Sequence, residues 1–249
     1  MQKMNAKGSQ LEIIAFNIAS CEIAQAAGAT RIELCDNPAD GGTTPSYGFI
    51  KAAREKLDID LYVMARPRGG DFLYSESEFE IAKTDVEMCK QLGCDGVVIG
   101  LLHRDGSVDK ERTRTLVELA HPMGVTFHRA FDRTRDPFAA LEDVIATGCE
   151  RILTSGQLPN CLDGSALIAE LRKQANGRII IMPGSGLKSS NIIDLAKATG
   201  AREFHASART LANSEMDFVP AAMDEDLKTV MVDGDEVKNM ADLLKQNLA

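Results

Sequence analysis

The chain has 249 residues with 28 Lys+Arg against 37 Asp+Glu, a formal net charge of −9, and 44% hydrophobic and 26% charged residues. That composition is ordinary for a globular protein and excludes disorder, and the length can bury a large core without disulfides. The acidic balance excludes a nucleic-acid groove or an anionic membrane as the main partner.

In chain order, short β-branched runs predict strands at 11–16, 31–35, 61–66, 95–99, 124–128, 151–154, 178–182 and 202–206. Amphipathic segments near 19–27, 46–56, 76–92, 109–120, 137–147, 163–175 and 189–198 predict helices between them. Thr44-Pro45-Ser46 and Asp136-Pro137 are helix starts, and Gly28, Gly93, Gly148 and Gly200 are helix ends before a new strand. Eight strands alternating with helices imply a parallel sheet, and eight is the number that closes a (β/α)8 TIM barrel. No GxGxxG or GxxxxGK motif supports an open doubly wound sheet. No linker divides the chain, so one domain is expected over 1–249, with a barrel core at about 11–209 and an acidic C-terminal extension at 215–249. The extension carries nine acids against three Lys, and its amphipathic patch Val237–Leu248 reads as a final helix, a dimer contact or a loose end. Met1–Gln10 is polar and no apolar run approaches the ~20 residues that span a bilayer, so neither an export signal nor a membrane segment is expected. Six cysteines without a CxxC pair predict reduced thiols and a cytoplasmic protein.

Alternation sorts each strand into a helix-covered apolar face and a face pointing into the barrel. The inward sets are Arg31, Glu33 and Cys35; Tyr62, Met64 and Arg66; Thr126 and His128; Glu203, His205 and Ser207; Glu12 and Thr154 join them by weaker phasing. Buried charges must neutralise one another or a ligand, so this set reads either as a satisfied polar core or as a site. Barrel sites lie at the carboxyl ends of the strands. There Arg66, Arg68 and Arg129 add positive charge, and Thr154-Ser155-Gly156 and Pro183-Gly184-Ser185-Gly186 add exposed amides of the kind that dock anions at a helix start. His121 reads as surface, and Cys89, Cys94 and Cys149 as packing thiols.

The stretches Arg31–Cys35, Gly41–Ser46, Arg66–Tyr74, Thr126–Asp132, Arg151–Gly156 and Phe204–Ser207 closely resemble the CutC family, named for copper homeostasis, in family order over residues 11–209. The resemblance implies a TIM barrel, a cytoplasmic location, a homo-oligomer, and Cu(I) held through cysteine thiolates. Here the inward, motif-matched thiol is Cys35, with Met64 as a neighbour. Ile13–Phe16 and Ala206 stand where family members often carry further cysteines.

Two functions follow. In the first, a copper-homeostasis protein binds Cu(I) through Cys35. In the second, an enzyme moves protons on a small phosphate- or carboxylate-bearing substrate as an isomerase, epimerase or lyase. His128 and His205 would be its acid/base pair, and Arg66, Arg68 and Arg129 would hold negative charge. Glu12, Glu33, Asp71 and Asp132 would orient them or act as a second base, with Thr154, Ser155, Gly184, Ser185, Gly186 and Ser207 at the anion. His128, His205 and Glu33 are also a donor set for a harder divalent metal. No Lys ends a strand, which disfavours a Schiff-base aldolase.

Overall fold

The computed structural model describes residues 8–220 and 222–248. Most of the polar start Met1–Gln10, read above as lacking an export signal, lies outside the described residues. The β-branched runs form eight parallel strands: β1 Gln10–Ala15, β2 Arg31–Leu34, β3 Asp60–Met64, β4 Gly96–Ile99, β5 Gly124–Phe127, β6 Arg151–Thr154, β7 Ile180–Pro183 and β8 Glu203–Ala206. Their order is β7-β6-β5-β4-β3-β2-β1-β8. A parallel bridge between Gly184 and His205 brings β7 to β8 and closes the ring.

Between the strands run α1 Ile18–Ala26, α2 Tyr47–Lys56, α3 Glu76–Gln91, α4 Lys110–Ala120, α5 Pro137–Thr147, α6 Ser165–Ala175 and α7 Ile192–Thr199. Local chemistry sets their ends. Ser46 accepts from the Phe49 amide to start α2, and Ser75 and Glu78 form a reciprocal capping box at α3. Gly148 and Gly200 end α5 and α7 at φ 90° and 68°, a conformation that strains any side chain.

Strand alternation produces two cores. Ile32, Leu34, Leu61, Val63, Ile99 and Phe127 face the helices in the outer core. Ile14, Cys35, Tyr62, Met64 and Val98 form a small inner core within the barrel. Below that inner core lies a buried ion network. Register places Glu12 beside both Arg31 and His205. Arg31 binds Glu12 at 2.5 Å and Glu203 at 2.9 Å, while Arg151 binds Glu203 and Glu150, each at 2.7 Å. Both guanidinium groups lie over the Tyr62 ring, at 5.0 and 5.4 Å from its centre. Part of the inward charge set is therefore core architecture, in which removing one partner costs about 3–5 kcal/mol.

The segment after β8 divides into two parts rather than forming one acidic tail. Strands β9 Arg209–Ala212 and β10 Thr229–Val232 pair antiparallel as the base of an arm whose outer part is 213–228. Helix α8, Gly234–Leu248, buries Val237, Met240 and Leu244 and packs against α7 and α1, in the place of the eighth barrel helix. Its Glu236 carboxylate accepts from the Ser189 amide and hydroxyl at 2.7 and 2.8 Å. Among the described residues no helix is long and apolar enough to cross a membrane.

Candidate functional site

A cavity of about 910 Å³ opens at the carboxyl ends of the strands. Ile14, Glu33, Met64, His128, Leu153 and His205 line its depth, and Arg66, Phe72, Arg129, Ser185, Ser207 and Arg209 stand higher on its walls.

On one side lies a relay of three buried groups. Glu12, beyond the cavity lining, sits 2.8 Å from His205 Nδ1, and His205 Nε2 faces Glu33 Oε2 at 3.8 Å. The other oxygen of Glu33 has no hydrogen-bond partner among the described residues. Burial and the neighbouring Glu12 push Glu33 up to about 7, although His205 opposes the rise. Burial would also raise Glu12, but Arg31 and His205 outweigh it and hold that carboxylate well below its ordinary range. Burial disfavours the imidazolium of His205, yet Glu33 and Glu12 outweigh it and raise its pKa. Glu33 and His205 therefore titrate as a coupled pair, the carboxyl raised by burial and the imidazole by its two carboxylate neighbours.

On the other side is His128, which directly follows β5 and caps the short turn Arg129–Arg133. Its Nδ1 accepts from the Ala130 amide at 3.1 Å, so the ring proton resides on Nε2. That Nε2–H is buried and has no protein partner among the described residues. The Phe72 ring lies 5.0 Å away. Burial, with the Arg66 cation adding to it, pushes His128 down to about 3. Its environment thus favours the neutral ring, with Nε2–H as a hydrogen-bond donor facing the cavity.

Other expected site residues serve as scaffold. Arg66 donates to the Asp40, Gly42 and Gly70 carbonyls, each at 2.8 Å, and ties the loops of the mouth together. Arg68 is outside the cavity lining, bound to Glu78 and to Asp71, whose own carboxylate is mostly exposed at the rim. Thr154 lies in the opposite phase from the inward Arg151 and Leu153. Its hydroxyl, the Ser155 amide and hydroxyl, and the Gln157 amide all donate to Asp132. The expected anion pocket there is filled by the chain's own carboxylate, which Arg129 also binds at 2.7 Å.

After β7 the outcome is divided. Ser189 is occupied by Glu236, and the Ser185 hydroxyl donates to the Pro159 carbonyl at 2.8 Å. Ser185 and Gly186, at φ 81° and 75°, keep their amides free of protein acceptors among the described residues, on the cavity wall. Gly184 serves by its size, since a Cβ there would lie 2.5 Å from Leu153 and 3.1 Å from His205. Phe72 and Arg209 line the cavity although the sequence expectation did not include them, and at Gly100, behind the lining, a Cβ would strike the His128 ring at 2.3 Å. Arg209 lies two residues beyond the matched Phe204–Ser207 stretch, just past the carboxyl end of β8, a usable signal; the role of Gly100 needs the fold.

The metal possibilities differ. Glu12, Glu33 and His205 offer donor atoms within 4.8 Å of one another, without His128 among them. Both Glu12 oxygens are engaged, by Arg31 and by His205, which leaves Glu33 and His205 Nε2. For copper, Cys35 is fully buried, and burial together with Glu33 and Glu12 keeps its thiol well above the ordinary range. Its sulfur and the Met64 methyl both approach Gly42, where a Cβ would lie 2.9 and 3.5 Å from them. The other five cysteines are buried among residues of the outer core. One protonated thiol does not fit a Cu(I)-thiolate centre.

The sequence profile of the CutC family matches residues 9–210. Relatives bearing the CutC family name include one from Chromobacterium violaceum, 58% identical over 206 residues that make up 83% of each chain. Another, from Parabacteroides distasonis, is 50% identical over 92% of this chain and 97% of its own. Among solved structures, CutC from Streptococcus agalactiae, named for copper homeostasis, superposes with a TM-score of 0.76 at 34% identity, over 80% of this chain and 98% of that one. Phosphoribosyl anthranilate isomerase from Thermotoga maritima shares only the barrel, at a TM-score of 0.62 and 13% identity over 96% of this chain and 99% of its own. With the profile spanning most of its length and relatives near half identity, the chain belongs to the CutC family.

Proposed function

We propose that the protein is an enzyme that moves a proton on a small carbonyl compound bearing a phosphate or carboxylate. One observation carries this reading: Glu33 Oε1 and His128 Nε2–H, both buried, belong to residues that line one cavity and have no hydrogen-bond partner among the described residues. Native proteins rarely leave such atoms unpaired, and a ligand supplies what is missing. Glu33, poised near neutrality, takes a proton from the carbon next to the carbonyl. The C–H electron pair moves into a carbon–carbon double bond, and the carbonyl oxygen gains the negative charge. His128 Nε2–H donates to that oxygen, and a neutral imidazole does so without losing its proton. His205, its Nδ1–H held by Glu12, returns a proton to the substrate from Nε2 and is recharged from Glu33. Arg129 and Arg209, with the Ser185 and Gly186 amides, hold the substrate's anionic group. All six cysteines are free and buried, which suits a reducing cytoplasm, where we place this activity.

The test begins with thermal shifts against small keto acids and sugar phosphates, followed by deuterium incorporation from heavy water into any stabilising compound. Glu33→Gln is expected to slow exchange at least about 100-fold while leaving binding largely intact. Binding that survives His128→Phe, or exchange that survives Glu33→Gln, overturns the assignment.

A second reading keeps the family's association with copper, because Cys35 and Met64 bring two soft sulfur side chains together under Gly42. It requires Cu(I) to displace the Cys35 proton. Anaerobic competition against a chelator decides it: Cys35→Ser abolishes Cu(I) binding under this reading and leaves it unchanged under the enzymatic one.

A further inference from the structure

The stretch Cys89-Lys90-Gln91-Leu92-Gly93-Cys94 runs from the last turn of α3 toward β4. The way the helix stops places its two cysteines side by side. Leu92 is the C-cap, and Gly93, at φ 75°, takes the left-handed turn after it. The Gly93 amide donates to the Lys90 carbonyl and the Cys94 amide to the Cys89 carbonyl, each at 3.1 Å. Those two bonds make a Schellman motif, in which the side chain before the helix end packs against the one just past it. That contact is ordinarily apolar. Here both side chains are thiols, and the Cys89 S–H donates to the Cys94 sulfur.

We propose that Cys89 and Cys94 form a redox-modification site that closes reversibly to a disulfide by exchange with a small-molecule disulfide such as oxidised glutathione. A disulfide needs Cα atoms within about 7 Å and side chains that point at each other. The backbone bond between the two residues meets the first condition, and the thiol contact meets the second. Cys35 instead meets the Glu33 carboxylate, and Cys149 accepts from the Thr147 hydroxyl at 3.4 Å.

The environment divides the roles. Cys89 is fully buried, whereas Cys94 lies just beneath the surface between the exposed Gly93 and Asp95. The hydrogen bond from Cys89, helped by the Arg54 guanidinium, outweighs burial and Asp95 and holds the Cys94 thiol below its ordinary range. The same bond, with burial, pushes Cys89 up. Since the thiolate is the nucleophile, Cys94 attacks first. A bond forms between its sulfur and one sulfur of the small disulfide, whose S–S bond breaks and releases a thiolate. Cys89 gives its proton to that thiolate and attacks the Cys94 sulfur, and the second small thiol leaves. Two electrons thus pass from the cysteine pair to the small disulfide, which departs as two thiols. The pair lies at the amino end of β4, away from the cavity at the carboxyl ends, so this inference stands independently of the proposed chemistry. Disulfides of this transient kind are the ones found in reducing compartments.

The test uses the folded, reduced full chain, incubated at graded ratios of oxidised to reduced glutathione, quenched in acid and alkylated. Trypsin cuts after Lys90, between the two cysteines, so the disulfide appears by mass spectrometry as residues 84–90 joined to 91–104. The joined peptide is expected to rise with the share of oxidised glutathione and to vanish with dithiothreitol. Cys89→Ser should stall with glutathione attached to Cys94, whereas Cys94→Ser should leave Cys89 unmodified, both with unchanged circular dichroism. The wild-type peptide map keeps the test open should either variant fold poorly. Cys89 and Cys94 that stay free at every ratio, or oxidation spread evenly over all six cysteines, overturns the proposal.

Discussion

Replacing Glu33 with Gln is expected to change how stability depends on pH more than stability at any one acidic pH. Glu33 is buried, and its carboxyl rises from its ordinary 4.5 to about 7 on folding. Below about 4.5 it is neutral in both states and costs nothing. As pH rises the unfolded chain ionises first, and the folded state falls behind until pH passes about 7. That rise, at about 1.4 kcal/mol per tenfold in proton affinity, corresponds to about 3 kcal/mol of stability lost on the alkaline side. His205 acts in the same direction: its raised pKa gives stability that is full below 6.5 and is lost as pH climbs through the raised value. Urea unfolding between about pH 5 and pH 8 measures both effects. The Gln variant should lie within about 1 kcal/mol of wild type at the acid end and gain up to about 3 kcal/mol on it at the alkaline end. Parallel curves for the two proteins would refute the claim that burial holds a proton on Glu33.

Gly100→Ala places a methyl 2.3 Å from the His128 ring; a displaced ring, about 1–3 kcal/mol of destabilisation in thermal unfolding and weakened ligand binding are expected. By NMR, the His128 ring should titrate near pH 3 and that of His205 above 6.5, and a His128 midpoint near neutrality would contradict its role as a neutral donor. Arg31→Leu strips Glu12 and Glu203 of a buried partner and should cost about 3–5 kcal/mol by chemical denaturation. Arg178→Ala should leave the chemical-denaturation midpoint essentially unchanged, since its bond to Glu142 is solvent-screened even though that pair holds Glu142 down to about 2.

The barrel and its inward faces were legible because they rest on local rules. Ile32 and Leu34 against Arg31, Glu33 and Cys35 is a period-two pattern, and the same alternation located Met64 and His205. Thr154 faces outward; the alternation of its strand is too weak to set a phase, which the pairing of Arg151 with Glu203 fixes instead. Partner choice was not legible. Nothing local says that Arg68 is taken by Glu78 or that Asp132 occupies the Ser155 amide. Nor did sequence distinguish the two histidines: His205 faces two carboxylates, whereas His128 faces an arginine and a phenyl ring. Both environments arise from tertiary neighbours. The last helix stayed open because an amphipathic patch suits a ring position as well as an interface.

The ring closure has a consequence during synthesis. β1 is made first, yet one of its edges pairs with β8, and Glu12 meets His205 across 193 residues of sequence. Until β8 emerges, the apolar edge Leu11–Ala15 has no strand beside it on that side, and α1 lacks the cover of α8. A nascent chain therefore carries an open, sticky strand edge for most of its translation, the kind of surface that chaperones shield. The relay beneath the cavity is assembled at ring closure, so a prematurely terminated chain lacks the completed site.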